Sequence, residues 1–207
     1  MRRHAPSATV TPVDQVAVFY FDLASPYAYL ASRRVDALLG DDTIWQPIMV
    51  GALHKHFRRV SWGATPELRA SGVAEIERRA ATYGLPPVRW PQPYPANTLT
   101  AMRAAVWAAE KGDTRRFAHA AYEMAFVHGI DLTPRAAVIE AASRAGMDGT
   151  ELAAVLDDEE LKSALRAAND AALATGVYGV PTFDAAGVLW WGDHQLEAAA
   201  LYHGLHE

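Results

Sequence analysis

The chain has 207 residues, 51% of them hydrophobic, with 19 basic and 24 acidic side chains, a net charge of −5 and no cysteine. That length and apolar fraction suit one compact domain, with or without a sizeable insertion, and exclude wholesale disorder. Mixed charges without a basic stripe argue against nucleic acid as a partner. The missing cysteines exclude disulfides, zinc–thiolate sites and a cysteine nucleophile.

Residues 1–13 carry basic side chains with no apolar run behind them, so they read as a short mobile tail rather than a secretory signal. The apolar stretches are too short and interrupted to span a bilayer, and a soluble, cytoplasmic protein is expected. Val16 to Phe21 has the pattern of a strand buried on both faces. Ser25-Pro26 then supplies a cap and a first-position proline for a helix from Pro26 to about Leu39, closed by Gly40. Its expected buried contacts are Ala28, Leu30, Ala31, Val35, Leu38 and Leu39. Thr43 to Met49 reads as a second strand, on which Pro47 implies an edge or a bulge.

After residue 50 helical patterns follow one another. They cover Pro66 to Tyr83 behind a Thr65 cap, Thr98 to Lys111, Asp113 to about Val127, Pro134 to Ala145, Gly149 to Leu156, and a longer stretch from Asp158 to Gly176. A proline-rich loop, 86–95, separates the first two. Strands at Thr182–Asp184 and Val188–Trp191 flank the hairpin signal Ala185-Ala186-Gly187, and a last helix runs from near Asp193 to Tyr202. Two strands at each end of the chain would be marginal alone and should pair into one sheet. The expected organisation is α/β, with residues 14–50 and 158–207 forming one domain and residues 51–157 inserted as an all-helical one.

Two places carry chemistry. Ser25 is a helix cap, and its hydroxyl with the free N–H groups of the first turn also suits an anion, including a thiolate. No nearby histidine in sequence suggests a base and no other triad element is legible, so Ser25 is not read as a nucleophile. Pro181, in Gly176-Val-Tyr-Gly-Val-Pro-Thr-Phe183, lies between a helix and a strand. A cis peptide there would turn the Val180 N–H and C=O outward, ready to pair with an extended peptide.

Phe19-Tyr-Phe-Asp-Leu-Ala-Ser25-Pro-Tyr-Ala-Tyr-Leu30 together with the 176–183 segment resembles the 2-hydroxychromene-2-carboxylate isomerase family. Gly51-Ala-Leu-His-Lys55, Pro95-Ala-Asn97-Thr-Leu99 and Trp190-Trp-Gly192 support the match, which runs from about residue 16 to the C-terminus. The resemblance implies a thioredoxin-like core with an all-helical insertion, relatives among DsbA and kappa-class glutathione transferases, and a homodimer. It implies glutathione, or another low-molecular-weight thiol, as cofactor and a small aromatic carboxylate as substrate. Ser25 would then favour the cofactor thiolate, Val180 with Pro181 would bind its cysteinyl backbone, and Lys55 would face a carboxylate unless it is a surface lysine.

Tyr27 and Asn97 are expected against the substrate, Asn97 being equally suited to capping the next helix. Trp62, Trp90 and Tyr94 lie in loops that could cover the site. Where the family carries a residue-Asp-Arg run, this chain has Asp193-His194-Gln195. Asp193 either turns inward to the cofactor ammonium or caps the last helix. If it does not turn inward, a charge-assisted hydrogen bond is missing and affinity falls about tenfold to hundredfold. The same site would serve a kappa-like transferase or a non-catalytic thiol-binding scaffold. His54-Lys-His56 has no carboxylate cluster to complete a metal site.

Overall fold

The computed structural model describes residues 16–206, so the tail assigned to residues 1–13 lies outside the described residues. β1 (Val18–Phe21) pairs in parallel with β2 (Ile44–Pro47) and antiparallel with β3 (Thr182–Ala185), which continues into β4 (Val188–Trp191). The four-stranded order β2-β1-β3-β4 leaves Pro47 on an edge strand, where its missing N–H costs no ladder bond. The β3–β4 turn is Ala186-Gly187, with φ of 49° and 79°. That is the mirror-image turn whose twist matches a hairpin, and the Gly187 N–H donates to Asp184 Oδ1 at 3.0 Å.

Alternation along β1 divides the core. Phe19 and Phe21 face one side, where Phe19 packs edge-on to Trp45 at 4.9 Å and stacks on Phe183 at 5.6 Å. Tyr20 faces the other, among Ile48, Leu53, Ala172, Val177 and Val180. Both faces of the strand are therefore buried, as its unbroken apolar run implies.

The helix expected over 26–39 is two helices, α1 (Pro26–Ser32) and α2 (Val35–Leu39). Ser32 Oγ donates back to the Tyr29 carbonyl at 2.7 Å, competing for the acceptor that a continuing helix needs. Arg34 lies over the Tyr83 ring at 3.9 Å and pairs with Glu197, which fixes the break from outside. Leu38, expected inside, is 38% exposed, whereas Leu30, Val35 and Leu39 are buried.

After β2 comes α3 (Val50–His56), a helix absent from the sequence reading. α4 (Pro66–Thr82), α5 (Leu99–Glu110), α6 (Thr114–Tyr122), α7 (Arg135–Arg144), α8 (Gly149–Val155) and α9 (Glu159–Thr175) follow. α6 runs on into a π-helical turn at Glu123–Val127, and α10 (Leu196–Gly204) closes the chain behind a 3₁₀ turn at Asp193–Gln195. Thr65 stands at the start of α4 without a side-chain capping bond, and its hydroxyl donates to the Ser61 carbonyl at 3.0 Å.

The helical block shares one core with the sheet. Tyr122 of α6 meets Phe21 at 6.2 Å, and the Tyr122 hydroxyl donates to the Asp22 carbonyl at 3.0 Å. Among the described residues no helix is long and apolar enough to cross a membrane.

Candidate active site

A cavity of about 290 Å³ opens where the C-terminal end of β1, the start of α3, the 94–98 loop and the loop before β3 converge. Its size falls near the lower end of the about 300–1,000 Å³ usual for small-molecule sites. Ser25 and Val180 both line it, although 155 residues separate them (180 − 25).

Ser25 is 9% exposed, and its Oγ accepts the Ala28 N–H at 3.2 Å. Capping uses an acceptor lone pair of the hydroxyl and leaves its proton free to donate into the cavity. The Ser25 N–H is held by the Asp22 carbonyl at 3.0 Å. The Val180–Pro181 peptide is cis. Among the described residues neither the N–H nor the C=O of Val180 is engaged by another main-chain group, whereas the Pro181 carbonyl accepts from Gly192 N at 2.9 Å.

Tyr27, Trp62 and Tyr94 form an aromatic wall, with Tyr27 and Trp62 edge to face at 6.3 Å and Trp62 and Tyr94 tilted against each other at 5.8 Å. Trp62 is seated by Gly72, where a Cβ would come within 2.1 Å of the indole. Burial raises the Tyr27 and Tyr94 hydroxyl pKa values, so both are neutral hydrogen-bond partners. Trp90 stands behind this wall, 4.7 Å from Tyr94, and donates to Glu77 at 2.9 Å. Asn97 reaches the cavity while its Oδ1 accepts the Leu99 N–H at 3.1 Å, so it caps the start of α5 as well.

Asp22, passed over in the sequence reading, ties these walls together. It is fully buried; Oδ1 accepts from Ala24 N at 2.8 Å and Thr98 Oγ1 at 3.0 Å, and Oδ2 accepts from Val50 N at 2.7 Å. Burial raises its carboxyl pKa against the lowering influence of these three donors. One side chain thereby fixes the Ser25 loop, the start of α3 and the start of α5.

A model of the DsbA-like thioredoxin domain matches residues 16–202. The chain belongs to the DsbA-like thioredoxin domain family. Among curated proteins, a 2-hydroxychromene-2-carboxylate isomerase of Sphingobium xenophagum is 26% identical over 194 residues, spanning 89% of this chain and 95% of that protein. A solved 2-hydroxychromene-2-carboxylate isomerase superposes with a TM-score of 0.83 at 20% identity, over 92% of this chain and 95% of that one. The cytosolic disulfide reductase DsbM from Pseudomonas aeruginosa, solved with GSH, superposes with a TM-score of 0.57 at 18% identity, over 92% and 96% of the two chains.

Three residues expected in this DsbA-like site do not line the cavity: Lys55, Pro181 and Asp193. Lys55 is exposed and does not line it, whereas His54 and Arg59 do. A helix turns its side chains by about 100° per residue, so the side chain next to an inward His54 leaves the wall. Asp193 is buried, but its carboxylate is occupied: Oδ1 accepts from Arg79 at 2.7 Å and Oδ2 from the Tyr83 hydroxyl at 3.0 Å. It does not cap the last helix either, since Gln195 stands at the start of α10. Arg79 in turn lies 5.5 Å from the Tyr27 ring, so the Asp193 pair buttresses the aromatic wall from behind.

Asp193→Ala should accordingly lower stability by about 1–3 kcal/mol, because Arg79 keeps Glu75 but the Tyr83 hydroxyl loses its acceptor. Thermal melts with and without glutathione check this. Any rise in Tm that glutathione gives the unmodified protein should be kept by the variant, and a rise lost only in the variant would give Asp193 a part in binding.

Proposed function

We propose that this protein is a thiol-dependent isomerase of the cytoplasm. It uses glutathione, or another low-molecular-weight thiol, to convert a 2-hydroxychromene-2-carboxylate type of substrate to the trans-o-hydroxybenzylidenepyruvate type, and works as a homodimer. One observation carries the reading: the Ser25 hydroxyl, which accepts the Ala28 N–H, and a Val180 main chain that no other main-chain group among the described residues engages share a cavity in a chain without cysteine. The isomerase relative and the GSH bound to a structural neighbour support it.

When bound, the thiol supplies a sulfur nucleophile that adds reversibly to a conjugated double bond, so that the bond can rotate before elimination returns the thiol. Ser25 donates its hydroxyl proton in a hydrogen bond to the sulfur anion, favouring the charged form at neutral pH. Val180 offers its N–H and C=O to the cysteinyl segment as a one-residue strand addition. Tyr27, Trp62 and Tyr94 wall the cavity and shield the reacting carbon from water. Asn97 turns its amide toward the substrate while its oxygen holds Leu99.

Calorimetric titration with glutathione, followed by the loss of chromene absorbance with thiol present and absent, tests this directly. Binding and thiol-dependent loss are expected. No binding at millimolar thiol rejects glutathione, and turnover that ignores thiol rejects the mechanism.

A further inference from the structure

The acidic and basic side chains lining the cavity are Asp22, His54 and Arg59. Asp22 is occupied by its three donors. Burial and the nearby Arg59 lower the His54 pKa, leaving a neutral ring at pH 7. Arg59 is the cation that remains, and it is held in an unusual way. Its guanidinium lies 4.1 Å from the Tyr178 ring centroid and 5.1 Å from that of Trp191. Its Nη1 donates to the Tyr178 carbonyl at 3.1 Å. The two rings meet edge to face at 5.0 Å, and Phe57 extends the cluster at 4.8 Å from Tyr178.

Tyr178 and Trp191 are 40% and 46% exposed, large rings left open to solvent, and Trp191 lines the cavity. Among the described residues no carboxylate pairs with Arg59. A guanidinium packed on rings through its faces keeps N–H groups at its edge for an anionic acceptor.

We propose that Arg59, Tyr178 and Trp191 form a subsite for an aromatic carboxylate, the guanidinium edge taking the carboxylate and the exposed rings taking the aromatic body. It deepens the proposed function by naming the residues that select the reacting molecule, and it replaces Lys55 in that role.

The test is calorimetric titration with trans-cinnamate and its neutral amide, without thiol. Cinnamate should bind about tenfold or more tightly than the amide, the margin expected of a charge-assisted pair. Arg59→Gln should abolish that margin. Arg59→Lys, which keeps the charge and the ring contact but not the fork, should restore part of it and so separates lost charge from lost fold. Equal affinities for the unmodified protein, binding of neither probe, or a margin that survives Arg59→Gln overturns the assignment. A second arm titrates glutathione into Arg59→Gln. A loss confined to glutathione would make the thiol's own carboxylate the occupant and also overturn it. Failure of the thiol-free arm leaves the thiol reading intact, and failure of glutathione to bind leaves this subsite intact.

Discussion

Ser25→Ala is expected to lower turnover about tenfold to hundredfold while the protein still folds and still takes up the thiol. The hydroxyl has two separable tasks. Accepting the Ala28 N–H stabilises the start of α1, and its loss costs about 1 kcal/mol, as cap removals generally do. Donating to the sulfur anion is worth about 1.5–3 kcal/mol, as hydrogen bonds to charged groups are, and that is the range set for turnover. Uptake of the neutral thiol rests on the Val180 main chain and is nearly unchanged. Steady-state kinetics beside calorimetry separate the two tasks. Unchanged turnover removes Ser25 from the mechanism.

The second large effect falls on stability. Asp22→Ala is expected to cost about 3 kcal/mol or more, because the Ala24 and Val50 N–H groups and the Thr98 hydroxyl lose one shared acceptor in a buried place. In a chain of this length that lowers Tm by roughly 6–12 °C. The pH dependence has a definite sign. Burial holds the folded carboxyl pKa above its ordinary value, so the folded state keeps the proton more tightly than the unfolded one. Stability from this linkage is full below the unfolded pKa of about 3.9 and is lost as pH rises through the folded value. The stability gap between the unmodified protein and Asp22→Ala should therefore narrow as pH rises through that value. A gap that widens would show that the donors, not burial, dominate.

Features written in neighbouring residues were legible in the sequence. The β1 run, the Ser25-Pro26 start of α1, the helical patterns of the insertion and the Ala186-Gly187 turn all follow from local backbone preferences. What escaped depends on partners distant in the chain. α3 has no capping side chain of its own; its first N–H groups are taken by Asn169, 120 residues from Met49, and by Asp22, 28 residues from Val50. Without those caps Val50-Gly-Ala-Leu-His-Lys-His56 is a weak helix signal, with a glycine near its start.

The same applies to the site. Ser25 and Val180, which share the cavity, stand in motifs that can be picked out along the chain. Lys55 was misplaced because the orientation of α3 could not be read, and Asp193 because its partners Arg79 and Tyr83 stand 114 and 110 residues away. Arg59 gave no local sign at all, since its meaning comes from two rings on the far side of the insertion.

The most direct test is the pKa of the thiol in the protein–glutathione complex, followed by the ultraviolet absorbance of the thiolate as pH is raised. A free cysteine thiol titrates near about 8.5. In the complex the value should be lower by about one unit or more, and Ser25→Ala should bring most of that shift back. A bound thiol that titrates where the free one does would contradict activation of a borrowed sulfur.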